Sequence, residues 1–482
     1  MGGIRYSEFV QAVRRYRPSD LIPAIAQLSA ERPLGQTFTD EWRARPPWAL
    51  AAMARESILY GTESRSARAT SATLDELFNL FSRLSDPHEE PTAHTILTSI
   101  THEQFPYQES MFEEVARAQA LFGHPVAGVD PFPWEEVIGV PLEAAIGASL
   151  VVAALTGAQQ GRFDPAWFDQ DGVDGAFRRF MPKDTLLAGA AYLTCTLASA
   201  RKAGLPPDGL PWSARRFAYN PLTSTPLVDL GAAGTWAPLS TAVARSVTPA
   251  NLYYAGMASG RSGFGKELGL RVQAYVGRQL RDIENLEILP EVVYGRRGGE
   301  DSADWFIIAD EAVVIVEAKS ARMSLAAKGA DSSLPGHVAR SIGRGREQID
   351  TTARLIREKH PAFSRIPSDR RMVGLVVTSE PFYMANSGLP AYGAHGEIQT
   401  LVASLRDIEL FAAVPGQQLV PALLDVMDDP EQSAWSLFSS LQPRFPEPRR
   451  NKVLDAAWSE FSWIGDKFYE MTGAERPEVT SR

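Results

Sequence analysis

The chain has 482 residues, of which 22% are charged and 44% are hydrophobic, and it contains a single cysteine, Cys195. A length beyond the roughly 250–300 residues that one hydrophobic core usually serves predicts two or more domains. One cysteine excludes an internal disulfide and any zinc or iron–sulfur site that needs several thiolates, which favours a reducing compartment. The formal net charge of −10 argues against indiscriminate binding of polyanions.

The N-terminal sequence is polar and charged where a secretory signal needs an apolar segment, so we expect a cytoplasmic protein. The most apolar stretch, residues 144–158, is shorter than the ~20 residues that span a bilayer and is rich in small residues. It predicts a buried helix. We therefore expect no membrane association.

Apolar residues recur at three- and four-residue spacing up to about residue 200, and this periodicity predicts α-helices. The segment SATLDELF, which begins at Ser71, has a Ser/Thr cap before acids in its first turn. We predict an all-α region over residues 1–203 that recognises a substrate feature or mediates assembly. A homodimer mate or a protein partner would bind through this region.

Proline and glycine interrupt the helical periodicity repeatedly between residues 205 and 238, so we predict a linker over residues 204–250. The pattern of apolar residues then changes to one that is typical of both helices and strands, and this region is predicted to form a domain over residues 251–420. Helical patterning returns in a C-terminal segment, residues 421–482. The predicted fold class is α+β, with several domains.

The predicted α/β domain begins with the amphipathic helix GFGKELGLRVQAYVGRQLRD. The segments LEILPEVVYG, DWFIIAD and EAVVIVEAKS then read as three strands with turns between them. A long basic helix follows, then the strand MVGLVVTSE, and finally EIQTLVASLRDIELFAAV, a strand that runs into a helix. This α-β-β-β-α-β-β order predicts a mixed sheet with helices on its faces.

Three charged residues stand at the ends of two apolar runs: Asp304 begins one run, and Glu317 and Lys319 end the next. A hairpin of these two strands brings the three side chains to the same end of the sheet. The two carboxylates, with the backbone carbonyl of Ala318, would supply the hard oxygen ligands that Mg²⁺ prefers. Lys319 would orient the attacking water or stabilise the developing charge on a phosphate.

These residues resemble the D…ExK signature of the PD-(D/E)xK, or restriction-endonuclease-like, nucleases, and the predicted element order over about residues 260–414 is similar to the core of that family. The resemblance covers about a third of the chain. It implies a restriction-endonuclease-like domain and a Mg²⁺-dependent nuclease, more precisely an endonuclease, in which Mn²⁺ can replace Mg²⁺. The residue before Asp304 is Ala303 rather than proline, at a position that varies in the family.

The resemblance implies two further site residues. Glu267, in the first helix, matches an acid that completes the metal site through water in many members. Gln348, in the helix after the third strand, matches a glutamine near the active site in many members. A first-turn acid is also favoured by the helix macrodipole, and a glutamine is common on an exposed helix face, so both residues also have a purely structural interpretation.

The region from Lys319 to Lys359 carries nine basic residues against four acids, which predicts a surface that faces phosphates. A solvated helix face would give the same pattern. Aromatic residues are not concentrated near the site as in single-strand stacking platforms, so DNA is favoured over RNA. The candidate contacts to nucleic acid are Arg322, Lys328, Arg344 and Arg346.

Three interpretations therefore stand beside one another. The first is a Mg²⁺-dependent DNA nuclease, for which defence of a bacterial cell against foreign DNA is a setting suggested by analogy. The second is an RNA-directed nuclease. The third is a catalytically silent protein that uses the sheet to bind nucleic acid or to assemble, in which Glu317 and Lys319 merely form an ion pair at a sheet edge.

Overall fold

The structure is a computed structural model. It describes residues 3–32, 41–85, 92–169, 181–206, 214–295, 299–330, 333–393 and 396–462, together with residues 208, 210 and 212. Both helices and sheets contribute, so the α+β prediction is confirmed. No helix in these ranges is both long and apolar enough to cross a bilayer.

Helices dominate the chain before residue 205. The helix that begins at Ser71 starts where its sequence predicts, and the Thr70 hydroxyl caps it by accepting a hydrogen bond from the Thr73 amide at 3.4 Å. The apolar stretch near residue 150 is a helix with most of its side chains buried, as predicted. The α-helices of this part are Tyr6–Val13, Pro18–Ala30, Glu41–Ala44, Pro47–Tyr60, Ser71–Ser82, Ala93–Gln104, Met111–Ala118, Trp134–Ile138, Leu142–Ala158, Lys183–Leu193 and Leu197–Gly204.

The prediction of an all-α N-terminal region is wrong in one respect, because this region contributes to a four-stranded sheet. The strands are β1 (Arg162–Phe163), β2 (Thr194–Thr196), β3 (Leu227–Asp229) and β4 (Thr235–Trp236), in the spatial order β1-β4-β3-β2. Strands this short carry too few residues to show the alternation that identifies a strand in a sequence.

The described residues of the segment 204–250 are folded, in contrast to the predicted linker. It supplies β3, β4 and the helix Ser240–Arg245, and its residues Leu227 and Val228 are fully buried. Proline and glycine interrupt the helical periodicity here because the chain makes short strands and turns. They do not mark a separation between two domains.

A five-stranded sheet forms the centre of the second half of the chain. It is preceded by the helix Phe264–Arg281, and the long helix Arg344–Arg357 and the helix Leu405–Ala412 follow later in the chain. Its strands are β5 (Glu287–Pro290), β8 (Trp305–Ile308), β9 (Ala312–Lys319), β10 (Arg371–Thr378) and β11 (Thr400–Ser404), in the spatial order β11-β10-β9-β8-β5. This element order matches the predicted one. A short hairpin of β6 (Val293–Tyr294) and β7 (Glu300–Asp301) is inserted between β5 and β8.

The directions of the strands bring several strand ends together. The side of the sheet that is formed by these strand ends is called its edge below. Strands β5, β8 and β9 are antiparallel neighbours, whereas β9, β10 and β11 run parallel. The carboxyl ends of β9, β10 and β11 therefore lie at the same edge, beside the beginning of β8. Strand β9 is the central strand, which explains its continuous buried run from Ala312 to Glu317.

The remaining helices pack around the sheet and extend to the C-terminus. They are Pro249–Ala258, Leu325–Lys328, Leu334–Val338, Gly416–Asp428, Pro430–Ser433, Leu437–Leu441 and Lys452–Ser459. Within the predicted C-terminal segment, the described residues form helices as far as Ser459. Residues 463–482 of that segment lie outside the described residues.

The largest hydrophobic cluster is shared between the helical region and the five-stranded sheet. Val115 and Val152 from the helices belong to the same cluster as Tyr275, Val316 and Phe411 from the second half of the chain. A second cluster lies within the first part of the chain and includes residues as far along as 239. The predicted boundary near residue 250 therefore does not separate two cores.

Candidate active site

Asp304 and Glu317 lie on neighbouring strands at the same edge of the five-stranded sheet. Trp305 pairs with Val316 across the antiparallel β8–β9 ladder, and the next step of this register sets Asp304 opposite Glu317. Residues that face each other in this way point to the same side of the sheet. The Asp304 carboxylate also accepts a hydrogen bond from the Ala318 amide at 2.6 Å, which fixes it against β9.

Lys319 and Gln348 complete this group. The Lys319 ammonium is paired with the Glu317 carboxylate and donates a hydrogen bond to Gln348 Oε1 at 3.2 Å. The amide nitrogen of the same glutamine donates to the Ser302 carbonyl at 2.9 Å. Gln348 thus connects the lysine with the segment that leads into Asp304. The structure brings together four of the five predicted catalytic residues.

A residue that sequence reasoning missed also fixes this segment. Thr352 Oγ1 accepts a hydrogen bond from the Ala303 amide at 3.0 Å. Thr352 lies four residues after Gln348 in the helix Arg344–Arg357, so both side chains are on the same helix face. The polar i, i+4 pair in an otherwise buried face is the sequence signal that could have identified it.

The two carboxylates are buried close to each other. Asp304 is 9% exposed and Glu317 is 2% exposed. Burial raises the pKa of Asp304, and the neighbouring Glu317 carboxylate raises it further. Burial also raises the pKa of Glu317, against the opposing effect of the Lys319 ammonium. A single lysine does not compensate two buried carboxylates, so the site favours an additional cation.

The donor atoms fit a divalent metal ion. Glu317 Oε2 is buried and has no hydrogen-bond partner within the described residues. The side chains of Asp304 and Glu317 would form, with the Ala318 carbonyl, a set of hard oxygen donors of the kind that binds Mg²⁺ or Mn²⁺. No group of three or more His, Cys, Asp or Glu side chains converges on one point in the described part of the chain. Mg²⁺ commonly keeps several water ligands, which two carboxylates leave room for.

Glu291 is a third acid at this edge that sequence reasoning missed. Pro290 pairs with Trp305 across β5 and β8, so the next step of the register sets Glu291 beside Asp304. The exposed Glu291 side chain accepts a hydrogen bond from Gln273 Nε2 at 3.2 Å. The negative charge of Glu291 also raises the pKa of Asp304, although less than burial and the Glu317 carboxylate do. The sequence signal was an acid directly after the strand EILP.

Glu267 has a different environment. Its carboxylate is 2.8 Å from Arg271 Nε, one turn further along the helix Phe264–Arg281. The guanidinium of Arg271 in turn donates to the backbone carbonyls of Leu121, His124 and Asp130. These contacts attach the helix to the N-terminal region. A water-mediated role for Glu267 at the metal stays a prediction.

The four basic residues that were predicted to contact nucleic acid are in different environments. Arg322 and Lys328 both bind Glu380, at 2.7 and 2.9 Å, so they are held by a contact within the protein, although one carboxylate offsets only part of their combined charge. Arg346 is 5% exposed and donates to the Tyr392 carbonyl, so it does not lie on the predicted phosphate-facing surface. Arg344 is exposed and lies one turn before Gln348, next to the candidate site.

Arg346 is buried because its helix lies very close to the sheet. A Cβ atom at the preceding Gly345 would be 2.9 Å from the side chain of Val376 on β10. Gly345 and Arg346 in the first turn of the helix therefore face the sheet, whereas Arg344 in the same turn faces the solvent. Comparison of the chain with models of protein families, with curated proteins and with solved structures gave no match.

Proposed function

We propose that the chain is a Mg²⁺-dependent nuclease with a restriction-endonuclease-like domain over residues 251–420, and that its substrate is DNA. The observation that carries this proposal is the arrangement of Asp304 opposite Glu317, with one buried carboxylate oxygen that has no partner among the described residues and with Lys319 beside it. An ion pair at a sheet edge would need neither the second carboxylate nor the Gln348 contact.

Each residue of the candidate site would have a separate role in hydrolysis. Asp304, Glu317 and the Ala318 carbonyl would hold a divalent cation, which supplies neutralisation of the charge on the reacting phosphate. Lys319, at the end of β9, would position the attacking water and stabilise the charge that develops on phosphate oxygens. Water adds to phosphorus while the bond from phosphorus to the leaving oxygen breaks. Gln348 holds the lysine in place through its 3.2 Å contact.

Arg344 is the basic residue best placed to contact the substrate. It is exposed, and it precedes Gln348 by one turn of the same helix. A guanidinium at this position would bind a phosphate next to the one that is cleaved. Neutralising one such contact should weaken binding in a salt-dependent manner without changing the sequence preference.

The test combines cleavage with direct binding of the metal. Purified full-length protein with Mg²⁺ or Mn²⁺ should convert supercoiled plasmid to nicked or linear DNA, and RNA of matched length is the comparison substrate. Lys319→Met should lower the cleavage rate by about 10²- to 10³-fold. The matched control is Lys452→Met, which removes an exposed lysine that pairs with Glu284.

Calorimetry separates the nuclease from a silent scaffold. Mn²⁺ should bind the unmodified protein in a saturable manner, and Asp304→Asn should abolish this binding. Absence of saturable metal binding in the unmodified protein would refute the proposal. Cleavage of RNA with no cleavage of DNA would retain the chemistry and overturn the choice of substrate.

A further inference from the structure

A cavity of about 350 Å³ lies between the helical region and the five-stranded sheet, apart from the candidate active site. One wall includes His102 and Tyr107 from the helical region and Asn251 from the helix Pro249–Ala258, and the other includes Ser379 and Ser404 at the carboxyl ends of β10 and β11. Sites for small molecules typically have volumes of about 300–1,000 Å³ and lie at this end of parallel strands. The cavity thus has the size and place of a ligand site.

The cavity wall contains positive charge that the protein does not match. Of its acids, Glu103 pairs with Arg216, Glu380 pairs with both Arg322 and Lys328, and Glu114 pairs with Arg117, which also pairs with Glu409 outside the wall. The fourth acid, Glu109, is half-buried, and removal from water, with the nearby Glu114 charge, raises its pKa to about 7, so it is only partly ionised at neutral pH. The wall also contains Arg245 and Arg406. The balance of charge therefore favours an anion.

Arg406 is the group in this wall that most clearly lacks an acceptor. Its guanidinium carbon lies 3.9 Å from the centre of the Phe438 ring, which holds the side chain in position. Its Nε is buried without a hydrogen-bond partner in the described part of the structure. The same is true of Arg322 Nε and His102 Nε2, which belong to residues of the same wall. Buried polar atoms without protein partners in one cavity are positions at which a bound molecule can form hydrogen bonds.

The backbone at this wall also favours negative charge. Arg406 is the second residue of the helix Leu405–Ala412, and the positive end of its dipole is at the cavity. Asp407 in the same turn accepts hydrogen bonds from the amide and hydroxyl of Ser404, so it satisfies part of this end of the helix. His102 adds no charge near neutral pH, because burial lowers its pKa to about 3. Arg406 therefore carries most of the attraction for an anion, because the Asp407 carboxylate offsets part of the positive helix terminus.

The other lining groups indicate what the anion is attached to. The aromatic side chains of Tyr107, Tyr254 and Tyr383 line the same space, whereas the amide nitrogens of the lining residues Asn220 and Asn251 donate to carbonyls within the protein. Aromatic rings stack on planar bases. A simple inorganic anion would leave these groups unused.

We propose that this cavity binds a phosphate monoester of about the size of a nucleoside monophosphate, with the phosphate on Arg406 and at the start of the helix Leu405–Ala412. Two sources share this chemistry: a free nucleotide, and the phosphorylated end of a nucleic-acid strand. The proposal goes beyond the nuclease activity and does not depend on it. The Ser379 amide, at the cavity, donates to the Lys319 carbonyl at 3.0 Å, so the ligand site and the candidate active site share a strand end.

Binding is tested on the full-length protein in EDTA, so that metal-dependent cleavage does not contribute. The probes are AMP, adenosine, inorganic phosphate and a short oligonucleotide with either a 5′-phosphate or a 5′-hydroxyl, and the readout is calorimetry. AMP should bind in a saturable manner and adenosine at least about tenfold more weakly, since a charge-assisted contact is lost. Arg406→Gln should weaken AMP binding by about the same factor, and Arg406→Lys, which keeps the charge, should weaken it less.

Arg68→Gln is the matched control, because Arg68 is exposed and does not line the cavity. Binding of the 5′-phosphorylated oligonucleotide in an Arg406-dependent manner, without binding of AMP, would identify a strand end as the source. Equal binding of AMP and adenosine, no saturable binding of any probe, or unchanged binding in Arg406→Gln would each overturn the proposal. If Arg406→Gln does not fold, the salt dependence of AMP binding to the unmodified protein decides: binding must weaken as ionic strength rises.

Discussion

Gln348 offers the sharpest test of the candidate site, because it touches two parts of the site and is not itself a metal ligand. Gln348→Ala removes the acceptor of the Lys319 ammonium and the donor to the Ser302 carbonyl. A hydrogen bond to a charged group contributes about 1.5–3 kcal/mol. Loss of this amount from the transition state alone corresponds to about a 10- to 150-fold lower rate.

The assay is cleavage of a fluorescently labelled DNA duplex under multiple-turnover conditions, with kcat and KM determined separately. We expect kcat to fall by the stated factor while KM changes little, because Gln348 positions Lys319 and does not bind the phosphates. Mn²⁺ binding by calorimetry should be retained, since Asp304 and Glu317 are unchanged. Glu347→Ala is the control, because this neighbouring side chain is exposed on the same helix. A Gln348→Ala protein with kcat within twofold of the unmodified protein would refute the positioning role.

Three further predictions follow from contacts around the site. Glu291→Gln should weaken Mn²⁺ binding by about tenfold, as loss of an outer-shell carboxylate does, and an unchanged titration would remove Glu291 from the site. Gly277→Ala should lower the free energy of unfolding in urea by about 1–3 kcal/mol because its Cβ would be 2.1 Å from the Trp305 ring, whereas Gly265→Ala, which meets nothing within 4 Å, should not. Burial, and next the charge of Lys328, lower the pKa of His102 from 6.5 to about 3. Between these two pH values, His102 is protonated in the unfolded chain but neutral in the folded chain. The free energy of unfolding should therefore decrease as the pH is lowered from 6.5 to 3, by up to about 1.4 kcal/mol per pH unit. In urea unfolding measured at several pH values, His102→Gln should show a smaller decrease.

The order of elements in the second half of the chain could be predicted from the sequence because its strands are apolar, four to eight residues long and bounded by turns. The proximity of Asp304, Glu317 and Lys319 followed from the same hairpin. Alternation along a strand was sufficient to place these side chains on one face. The contact with Gln348 came from the family resemblance and not from periodicity.

The remaining features depend on distances that a sequence does not contain. Glu291 enters the site through the register of β5 against β8, and Thr352 enters through the rotation of its helix above Ala303. Arg346 is a charged residue, and its residue type alone predicted an exposed side chain. Its burial is decided by how closely the helix approaches β10 at Gly345. The short strands β1 to β4 are held by tertiary packing and give no local signal.

The shared hydrophobic cluster has a consequence for any attempt to isolate the catalytic part. Val115 and Val152 pack in the same cluster as Tyr275, Val316 and Phe411, so removal of the first 250 residues would expose one side of that cluster to water. A fragment that begins near residue 251 should aggregate or bind hydrophobic dyes. Because the two halves share this cluster, substitutions of Val115 or Val152 should lower the melting temperature of the five-stranded sheet as well as that of the helices around them.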